Sequence, residues 1–360
     1  MYNNFFEGKK ILLTGHTGFK GSWASIWLSM MGANVYGFSL EPKSKQDNFV
    51  TCGLKNILKH QIGDIRDAEA LGSYFEEVKP DIAFHFAAQP LVLSSYHDPV
   101  ETFQTNLMGV VNFFEAVRKT SSVKVAINIT SDKCYANQEW VWGYRENDPM
   151  GGRDPYSASK GCAELITASY LASYFKDSSC NIASVRAGNV IGGGDWAENR
   201  IVPDFFRAII NNTELEIRSP YATRPWQHVL EPLSGYFALA EGLYEDSSLT
   251  GGWNFGPNSN NNFNVQELIN QIRDYIKKGN YKIENKGFLH ESMQLKLDMT
   301  KAVNILKWHP VLNFSETVIF TSNGYISELE TKNNVLHERI TQIKEYVIKA
   351  QQLNIPWAIK

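Results

Sequence analysis

Cysteine is scarce in this chain, and long apolar runs are missing. Its 360 residues include four cysteines, which lie far apart and lack the close spacing of metal ligands. This argues against a disulfide framework and against structural zinc, and it favours reduced thiols. No apolar run approaches the ~20 residues that a membrane-spanning helix needs. The N-terminus also lacks the basic segment followed by an apolar segment that is typical of a signal peptide. We therefore expect a cytoplasmic protein with neither a membrane segment nor a bound metal.

The chain also lacks an excess of charge of either sign. Lys and Arg number 35 against 38 Asp and Glu, for a formal net charge of −3. Surfaces that bind nucleic acid need a basic field, so nucleic acid is not an expected partner. Hydrophobic residues make up 43% of the 360 positions, which is enough to bury a substantial core in one large or two modest domains.

Apolar strand-like runs alternate with amphipathic helical runs through the first half of the chain. This alternation is typical of an α/β fold in which helices cover both faces of a doubly wound parallel sheet. After Asn189 the alternation loosens, which predicts a smaller C-terminal domain for binding substrate. The predicted strands are 10–14, 34–39, 59–62, 82–86, 124–130 and 181–186, and the main predicted helices are 22–31, 100–119, 155–175, 201–211 and 231–244.

A glycine-rich turn follows the first predicted strand. Gly15, Gly18 and Gly21 are spaced Gly-x-x-Gly-x-x-Gly, and an apolar helix is predicted directly after them. Glycines let the backbone turn tightly and approach a pyrophosphate, whose charge is stabilised by the amides and dipole of the helix N-terminus. The same glycines could form only a tight turn, but the order strand, turn, helix favours dinucleotide binding.

Tyr156 and Lys160 are four residues apart in a predicted helix, so their side chains share one face. Forming a phenolate near pH 7 costs about 4 kcal/mol, because the pKa of free tyrosine is ~10. One cation at ~4 Å in an effective dielectric of ~20 supplies a similar energy. Lys160 is therefore predicted to lower the pKa of Tyr156 and make it a base, although surface helices contain the same spacing by chance.

Small and polar residues follow several predicted strands at the points where the strands end. Ligands of doubly wound sheets bind at the carboxyl ends of the strands, so these residues are candidate site residues. They are Asp64 and Ile65 after the third strand, Ala87, Ala88 and Gln89 after the fourth, Ser131, Asp132 and Lys133 after the fifth, and Asn189 after the sixth.

The glycine spacing together with Tyr156 and Lys160 resembles the extended branch of the short-chain dehydrogenase/reductase family, and the resemblance covers about residues 8–325. It implies a Rossmann-type fold, NAD as cofactor and a nucleotide-sugar substrate. It also implies that Ser131 assists Tyr156, and that Arg224 grips the substrate pyrophosphate, which suits a guanidinium. The implied cofactor-binding residues are Gly15, Thr17, Gly18, Phe19, Lys20, Gly21, Asp64, Ile65, Ala87, Ala88, Gln89, Asn106, Tyr156 and Lys160.

Longer segments resemble the nucleotide-sugar 4,6-dehydratases of this family, and more narrowly the branch that acts on a CDP-sugar. Such enzymes oxidise the sugar at C4 and eliminate water across C5 and C6, which requires an acid and a base besides the tyrosine. By this resemblance Asp132 would protonate the leaving C6 hydroxyl and Lys133 would remove the C5 proton, although the two could exchange or share these roles. The resembling segments are 130–135, 142–152, 154–164, 186–196 and 290–298, and the implied substrate-binding residues are Asn189, Arg200, Arg224, His290 and Glu291.

One position departs from the family's pattern. The acidic residue expected at the end of the second strand is replaced by Ser39, with Glu41 two residues further on. Lys43 and Lys45 could attract the 2′-phosphate of NADP, but lysines in a loop are more often solvated surface. NAD is therefore predicted, although the sequence alone leaves NADP open.

Two other functions stay open at this point. A nucleotide-sugar 4-epimerase would need only Tyr156, Lys160 and Ser131. A non-catalytic sensor would need only the glycines that bind NAD, and could lose the tyrosine and lysine. The additional Asp132 and Lys133 favour a dehydratase over both.

The resemblance also implies how the chain is divided and assembled. A homodimer or homotetramer is expected, paired through the predicted helices 100–119 and 155–175, and the segment 140–153 is a candidate cover for the pocket. The predicted NAD-binding domain comprises 1–188 and about 229–256, the nucleotide-sugar-binding domain comprises 189–228 and 257–330, and 331–360 form a C-terminal helical segment.

Overall fold

The computed structural model describes residues 1–258, 263–284, 295–330 and 334–359. Its strands, in chain order, are β1 (Lys10–Thr14), β2 (Asn34–Ser39), β3 (Lys59–Ile62), β4 (Ile82–His85), β5 (Val125–Ile129), β6 (Asn181–Ala187), β7 (Val190–Ile191), β8 (Glu214–Ile217), β9 (Thr223–Arg224), β10 (Gln227–His228), β11 (Gly251–Phe255), β12 (Phe263–Asn264) and β13 (Asn280–Ile283).

A seven-stranded parallel sheet carries the fold, in the order β3-β2-β1-β4-β5-β6-β11. The chain runs outward from β1 to β3, then returns beside β1 with β4 and continues to β11. In register, Thr14 at the end of β1 lies between Phe38 of β2 and His85 of β4. This is the predicted doubly wound, Rossmann-type sheet, and the reversal beside β1 opens a crevice at the carboxyl ends of the strands.

Helices cover both faces of the sheet. On one face α1, α9 and α12 bury a core that contains Trp23, Trp27 and Phe237, and on the other α3, α6 and α7 enclose Phe75 and Phe113. The α-helices are α1 (Phe19–Met30), α2 (Asn48–Thr51), α3 (Ala68–Val78), α4 (Val92–His97), α5 (Pro99–Phe103), α6 (Gly109–Lys119), α7 (Pro155–Tyr170), α8 (Ile201–Ile210), α9 (Leu230–Glu245), α10 (Val265–Ile276), α11 (Phe314–Glu330), α12 (Val335–Gln352) and α13 (Pro356–Ile359).

The predicted strands are all present, with ends that differ by at most one residue, but one predicted helix is not continuous. The expected helix over 100–119 is interrupted between α5 and α6 by a π-helical turn at Gln104–Met108. Asn106 lies buried in that turn. A π-helical turn adds a residue to the helical repeat without changing the apolar pattern enough to be recognised in the sequence.

Beyond β6 the chain builds a second group of elements. The short strand pairs β7–β10, β9–β12 and β8–β13 lie here, together with α8, α10 and α11. Phe206 of α8 stacks on Tyr325 of α11, with ring centroids 4.1 Å apart, in a separate apolar cluster. Strand β11 and helix α9 return to the main sheet. The exact division into domains remains a prediction.

The described residues contain no helix that combines the length and the apolar character needed to cross a membrane. Among the same residues, no group of three His, Cys, Asp or Glu side chains could hold a metal ion. All four cysteines are described, and each is a free thiol.

Candidate active site

The predicted glycine turn is a close-packed connection between β1 and α1. Gly15 has a φ of +74°, and a Cβ there would lie 2.5 Å from the backbone nitrogen of Ala87. A Cβ at Gly21 would collide with the carbonyl oxygen of Gly15. Both positions therefore require glycine, and α1 begins at Phe19 with its first amides at the crevice. A backbone cradle that a Cβ would fill, at the N-terminus of a 12-residue helix, suits a pyrophosphate.

The end of β2 is organised by hydroxyl groups. The Thr17 hydroxyl lies 2.8 Å from the Ser39 hydroxyl and donates to the carbonyl oxygen of Leu40 at 2.9 Å. Ser39 thus fixes the glycine turn against β2.

At the end of β3, Asp64 accepts two hydrogen bonds from the Arg66 guanidinium, and this interaction lowers the pKa of the Asp64 carboxyl group. Ile65 beside it is buried.

Asn106 links the loop after β4 to α7. Its side-chain oxygen accepts from the amide of Gln89 at 2.9 Å, and its nitrogen donates to the Gln89 carbonyl at 3.0 Å. The same nitrogen donates to the Ser159 hydroxyl at 2.9 Å, and Ser159 donates to the carbonyl oxygen of Tyr156. The π-helical turn that carries Asn106 therefore holds the segment of Ala87, Ala88 and Gln89 beside the helix of Tyr156.

Helix α7 begins at Pro155 and carries Tyr156 and Lys160, two of the predicted catalytic residues. Asp154 caps the helix by accepting from the amide of Ser157, and the Ser95 hydroxyl accepts from the amide of Tyr156 at 3.1 Å. Tyr156 and Lys160 are both buried. Ser131, which follows β5, lies close enough to the phenol to act on its pKa. The structure thus brings Ser131 and Tyr156 together, with Lys160 one helical turn further on, and their catalytic roles remain predictions.

Lys160 alone does not lower the pKa of Tyr156 in this structure. Burial raises the pKa of Tyr156 to about 12, and the groups that oppose this increase are Ser131 and Arg200. The ammonium of Lys160 instead lies 3.4 Å from the carbonyl oxygen of Ile129, and burial lowers the Lys160 pKa to about 8. Desolvation of the phenol, which the spacing of the two residues does not report, therefore exceeds the effect of the lysine. The predicted activation of Tyr156 also involves the positive nicotinamide of NAD, so it stays a prediction.

Asp132 is a buried acid next to the phenol. One oxygen of its carboxyl group accepts from the Ser131 hydroxyl at 2.9 Å, and the other lies against Gly188, where a Cβ would be 3.3 Å away. Burial raises the Asp132 pKa, although Lys133 and other basic side chains oppose this. The raised pKa confirms the predicted direction, because an acid catalyst must keep its proton.

Lys20 extends the site from the glycine turn. Burial lowers its pKa to about 8, and the positive charges of Arg200 and Lys160 add to this effect. Asp132 and Asp195 oppose it. Lys20 was predicted to bind the cofactor, and its electrostatic neighbours show that it also faces the acid and base residues.

The predicted substrate residues are only partly described. Asn189 accepts at its carbonyl oxygen from the amide of Gln227 at 3.0 Å. Arg224 is buried in β9, which pairs with β12, and Arg200 forms an ion pair with Asp195. His290 and Glu291 lie outside the described residues, so their assignment remains a prediction.

The sequence analysis missed a buried ion pair behind the catalytic helix. Arg186 of β6 donates to Glu164 of α7 at 2.7 Å, and both side chains are 4% exposed. Glu164 is one helical turn after Lys160 and raises its pKa, against the larger effect of burial. Arg186 also donates to the Tyr135 hydroxyl at 2.6 Å. The i, i+4 spacing of Lys160 and Glu164 was a signal that could have identified the acid.

The predicted cover segment packs beside these residues. Tyr144 stacks on Tyr135 at 5.0 Å between ring centroids and on Trp140 at 5.2 Å, while the Trp142 side chain is 70% exposed. Asn254 of β11 donates to the Tyr144 carbonyl and accepts from the Tyr135 hydroxyl. These contacts place one side of the segment close to Asp132 and Lys133.

Comparisons with known proteins agree with this geometry. Residues 12–320 match the family described as GDP-mannose 4,6 dehydratase. A protein of Salmonella typhimurium (strain LT2) named CDP-glucose 4,6-dehydratase is 48% identical over 322 residues, which are 88% of this chain and 90% of the relative.

Solved structures share the fold. An epimerase of Methanothermobacter thermautotrophicus has a TM-score of 0.78 at 22% identity and covers 92% of this chain and 96% of its own. A dTDP-glucose 4,6-dehydratase of Bacillus anthracis, solved in complex with NAD, has a TM-score of 0.76 at 20% identity over 90% of this chain and 98% of its own. The family match, the Salmonella relative and the geometry of the site agree, and the chain belongs to the GDP-mannose 4,6 dehydratase family of extended short-chain dehydrogenases/reductases.

Proposed function

We propose that this enzyme is a CDP-glucose 4,6-dehydratase, which converts CDP-glucose to CDP-4-keto-6-deoxyglucose with loss of water. The observation that carries the proposal is the buried Asp132, whose pKa is raised, beside Ser131 and Tyr156. An epimerase needs no such acid. The likeness to the Salmonella relative supports cytosine as the base. The product suits the synthesis of deoxysugars for bacterial surface polysaccharide, including O-antigen.

NAD is the cofactor that we assign to the crevice at the carboxyl ends of the strands. The turn of Gly15, Gly18 and Gly21 would hold its pyrophosphate, Asp64 and Ile65 its adenine end, and Lys160 its ribose side. When bound, it would accept hydride from C4 of the sugar and return hydride at C6, so that no net redox change results.

The residues of the chain would divide the proton transfers between them. Tyr156 would take the proton of the C4 hydroxyl as a phenolate, which Lys160 and the positive nicotinamide of bound NAD would favour, while Ser131 holds the same oxygen. Asp132 would donate its proton to the departing C6 hydroxyl. Lys133, the next residue, would remove the C5 proton or support its removal, and a proton would return to C5 when hydride is added at C6. Asn189, Arg200 and Arg224 would bind the nucleotide end of the substrate.

A panel of nucleotide sugars tests this function. We expect CDP-glucose to be converted to a 4-keto product, measured by its absorbance in alkali, about 10²-fold or more faster than dTDP-, GDP- or UDP-glucose. A site that uses hydrogen bonds to choose its base discriminates strongly, because the wrong base leaves buried polar groups unpaired. Conversion of another sugar in preference to CDP-glucose would refute the choice of nucleotide, and a C4 epimer without loss of water would refute the reaction.

The variant Lys133→Met tests the role of the lysine in the same assay. Methionine keeps the length of the side chain but cannot carry a proton, so elimination should slow by about 10²-fold or more. A Lys133→Met enzyme that eliminates water at the parent rate would remove lysine from the mechanism while leaving the substrate assignment intact.

We also propose that the enzyme acts in the cytoplasm as a homodimer or homotetramer. The helices expected to pair expose large apolar side chains, with Val100 at 64%, Met108 at 51%, Leu165 at 61% and Tyr174 at 55% exposure. Such a cluster on neighbouring helices is typical of a subunit interface. A monomeric mass in solution would contradict this.

A further inference from the structure

The segment from Gly192 to Trp196 is a glycine-rich loop whose role the proposed chemistry does not explain. Its backbone lies directly on the backbone of α11, because a Cβ at Gly193 would be 2.6 Å from the carbonyl carbon of Gly324. A Cβ at Gly324 would in turn be 2.9 Å from Gly193. Gly194 has a φ of +83° and packs against Asn48. The backbones of the loop and of α11 approach so closely that no side chain fits between them, which fixes the position of the loop on the helix.

Buried hydrogen bonds fix this loop from several sides. The Tyr325 hydroxyl donates to the carbonyl oxygen of Asp195 at 2.6 Å, and the Trp196 indole donates to Glu328 at 2.6 Å. Glu328 forms an ion pair with Arg339 of α12, whose side chain is fully buried. Arg339 also donates to the Gly324 carbonyl at 3.0 Å. Helices α11 and α12 therefore fix the backbone of the loop that carries Asp195.

The carboxylate of Asp195, held by this rigid loop, binds the guanidinium of Arg200. One oxygen accepts from the Arg200 guanidinium at 2.8 Å, and the other accepts from the amide of Ala197 at 3.2 Å. The Asp195 side chain is 5% exposed, whereas that of Arg200 is 32% exposed. The acid is thus the more deeply buried member of the pair, and the Arg200 side chain keeps part of its surface in solvent.

The charge of Arg200 acts on two residues of the candidate site. Its charge opposes the increase in the Tyr156 pKa and contributes to the low pKa of Lys20. A long arginine side chain normally loses much rotational freedom when it binds a ligand. A carboxylate that already holds the guanidinium removes most of that loss from the binding step.

We propose that Asp195 is a positioning residue that holds Arg200 in its substrate-binding orientation, supported through the loop by Tyr325, Glu328 and Arg339. This rests on the proposed function, in which Arg200 contacts the sugar nucleotide. Asp195 acts only through Arg200, so its effect should be on substrate binding rather than on the chemical step.

A double-mutant cycle tests the proposal. We expect Asp195→Asn to raise KM for CDP-glucose about 10-fold, equivalent to about 1.4 kcal/mol, with little change in kcat. Arg200→Met should raise KM about 10- to 100-fold, as for loss of a charged hydrogen bond. The double variant should be no worse than Arg200→Met alone, because Asp195 has nothing left to position.

The controls separate a structural effect from a positioning effect. Glu216→Gln removes an exposed ion pair with Lys282, 2.8 Å long, and should leave KM unchanged. Calorimetric titration with CDP measures the dissociation constant of the parent, the single variants and the double variant without turnover. Thermal unfolding checks that each variant is folded.

Three outcomes would overturn the inference. These are an unchanged KM in Arg200→Met, an unchanged KM in folded Asp195→Asn, and a double variant weaker than Arg200→Met. If the parent enzyme binds CDP but forms no 4-keto product, the proposed function fails while the binding cycle still decides the role of Asp195.

Discussion

Replacing Tyr156 by phenylalanine is expected to lower kcat by about 10²- to 10⁴-fold, the contribution typical of a positioned acid–base group. The phenylalanine ring occupies the same buried space, so the fold and the binding of CDP-glucose should be retained. The hydroxyl is the group whose pKa is affected by Ser131, Asp132 and Arg200. Without it, no side chain at this position can take the C4 proton. Initial rates of 4-keto product formation measure the effect.

Tyr275→Phe is the matched control for this substitution. The Tyr275 side chain is 43% exposed on α10, and its hydroxyl donates only to Asn323 at 2.9 Å. It should turn over at the parent rate. Parent-like kcat in Tyr156→Phe would refute the assignment of the base, and a loss of CDP binding in that variant would show that the effect is structural.

The second large effect is expected on stability, from Glu164→Gln. Burial alone would raise the pKa of the Glu164 carboxyl group, but Arg186 together with the hydroxyls of Ser184 and Thr130 outweighs it, so the pKa is lowered in the folded protein. The Ser184 hydroxyl also donates to this carboxylate at 2.6 Å. Glutamine keeps the shape but leaves the charge of Arg186 buried without a counterion, which costs about 3–5 kcal/mol. Unfolding by urea, followed by circular dichroism, measures the change in the free energy of unfolding.

Glu216→Gln provides the comparison, because it removes an ion pair at the surface, away from the helices proposed to pair between subunits. Glu216 accepts from Lys282 at 2.8 Å, with side-chain exposures of 46% and 53%. An exposed pair contributes much less than a buried one, because water screens both charges. The double replacement of Glu164 by Leu and Arg186 by Met should recover part of the stability lost in Glu164→Gln, since no charge is then left buried. Equal losses in Glu164→Gln and Glu216→Gln would contradict the prediction.

Local pattern was enough to predict the strands and the sites at their ends. Most strands of the first half are short apolar runs, and Gly15, Asp64, Gln89 and Ser131 lie in the loops that follow them, so the parallel arrangement alone brings these residues to one crevice. The family resemblance then supplied their roles. No knowledge of distant contacts was required for either step.

Burial and distant pairing set the features that the sequence did not reveal. The pKa of Tyr156 depends on how completely the phenol is removed from water, which spacing from Lys160 cannot report. Tyr135 meets Asn254 across 119 positions of the chain, and Trp196 meets Glu328 across 132. Segment 186–196 contains Asp195, but the contacts that hold its loop come from helices that follow much later.

The departure at Ser39 also becomes intelligible from the fold. In place of an acidic side chain, its hydroxyl contacts Thr17 of the glycine turn at 2.8 Å. The residue at the end of β2 is therefore uncharged and holds the glycine turn. It does not provide an acidic group for the adenine ribose.

The contact of Gly193 with Gly324 has a consequence for how this enzyme can diversify. Tyr325, Glu328 and Arg339 all follow residue 320, where the family match ends. In the proposed positioning of Arg200 by Asp195, these last helices support substrate binding from a distance. Lineages that alter or exchange these last helices would retune substrate affinity while every residue lining the pocket stays the same.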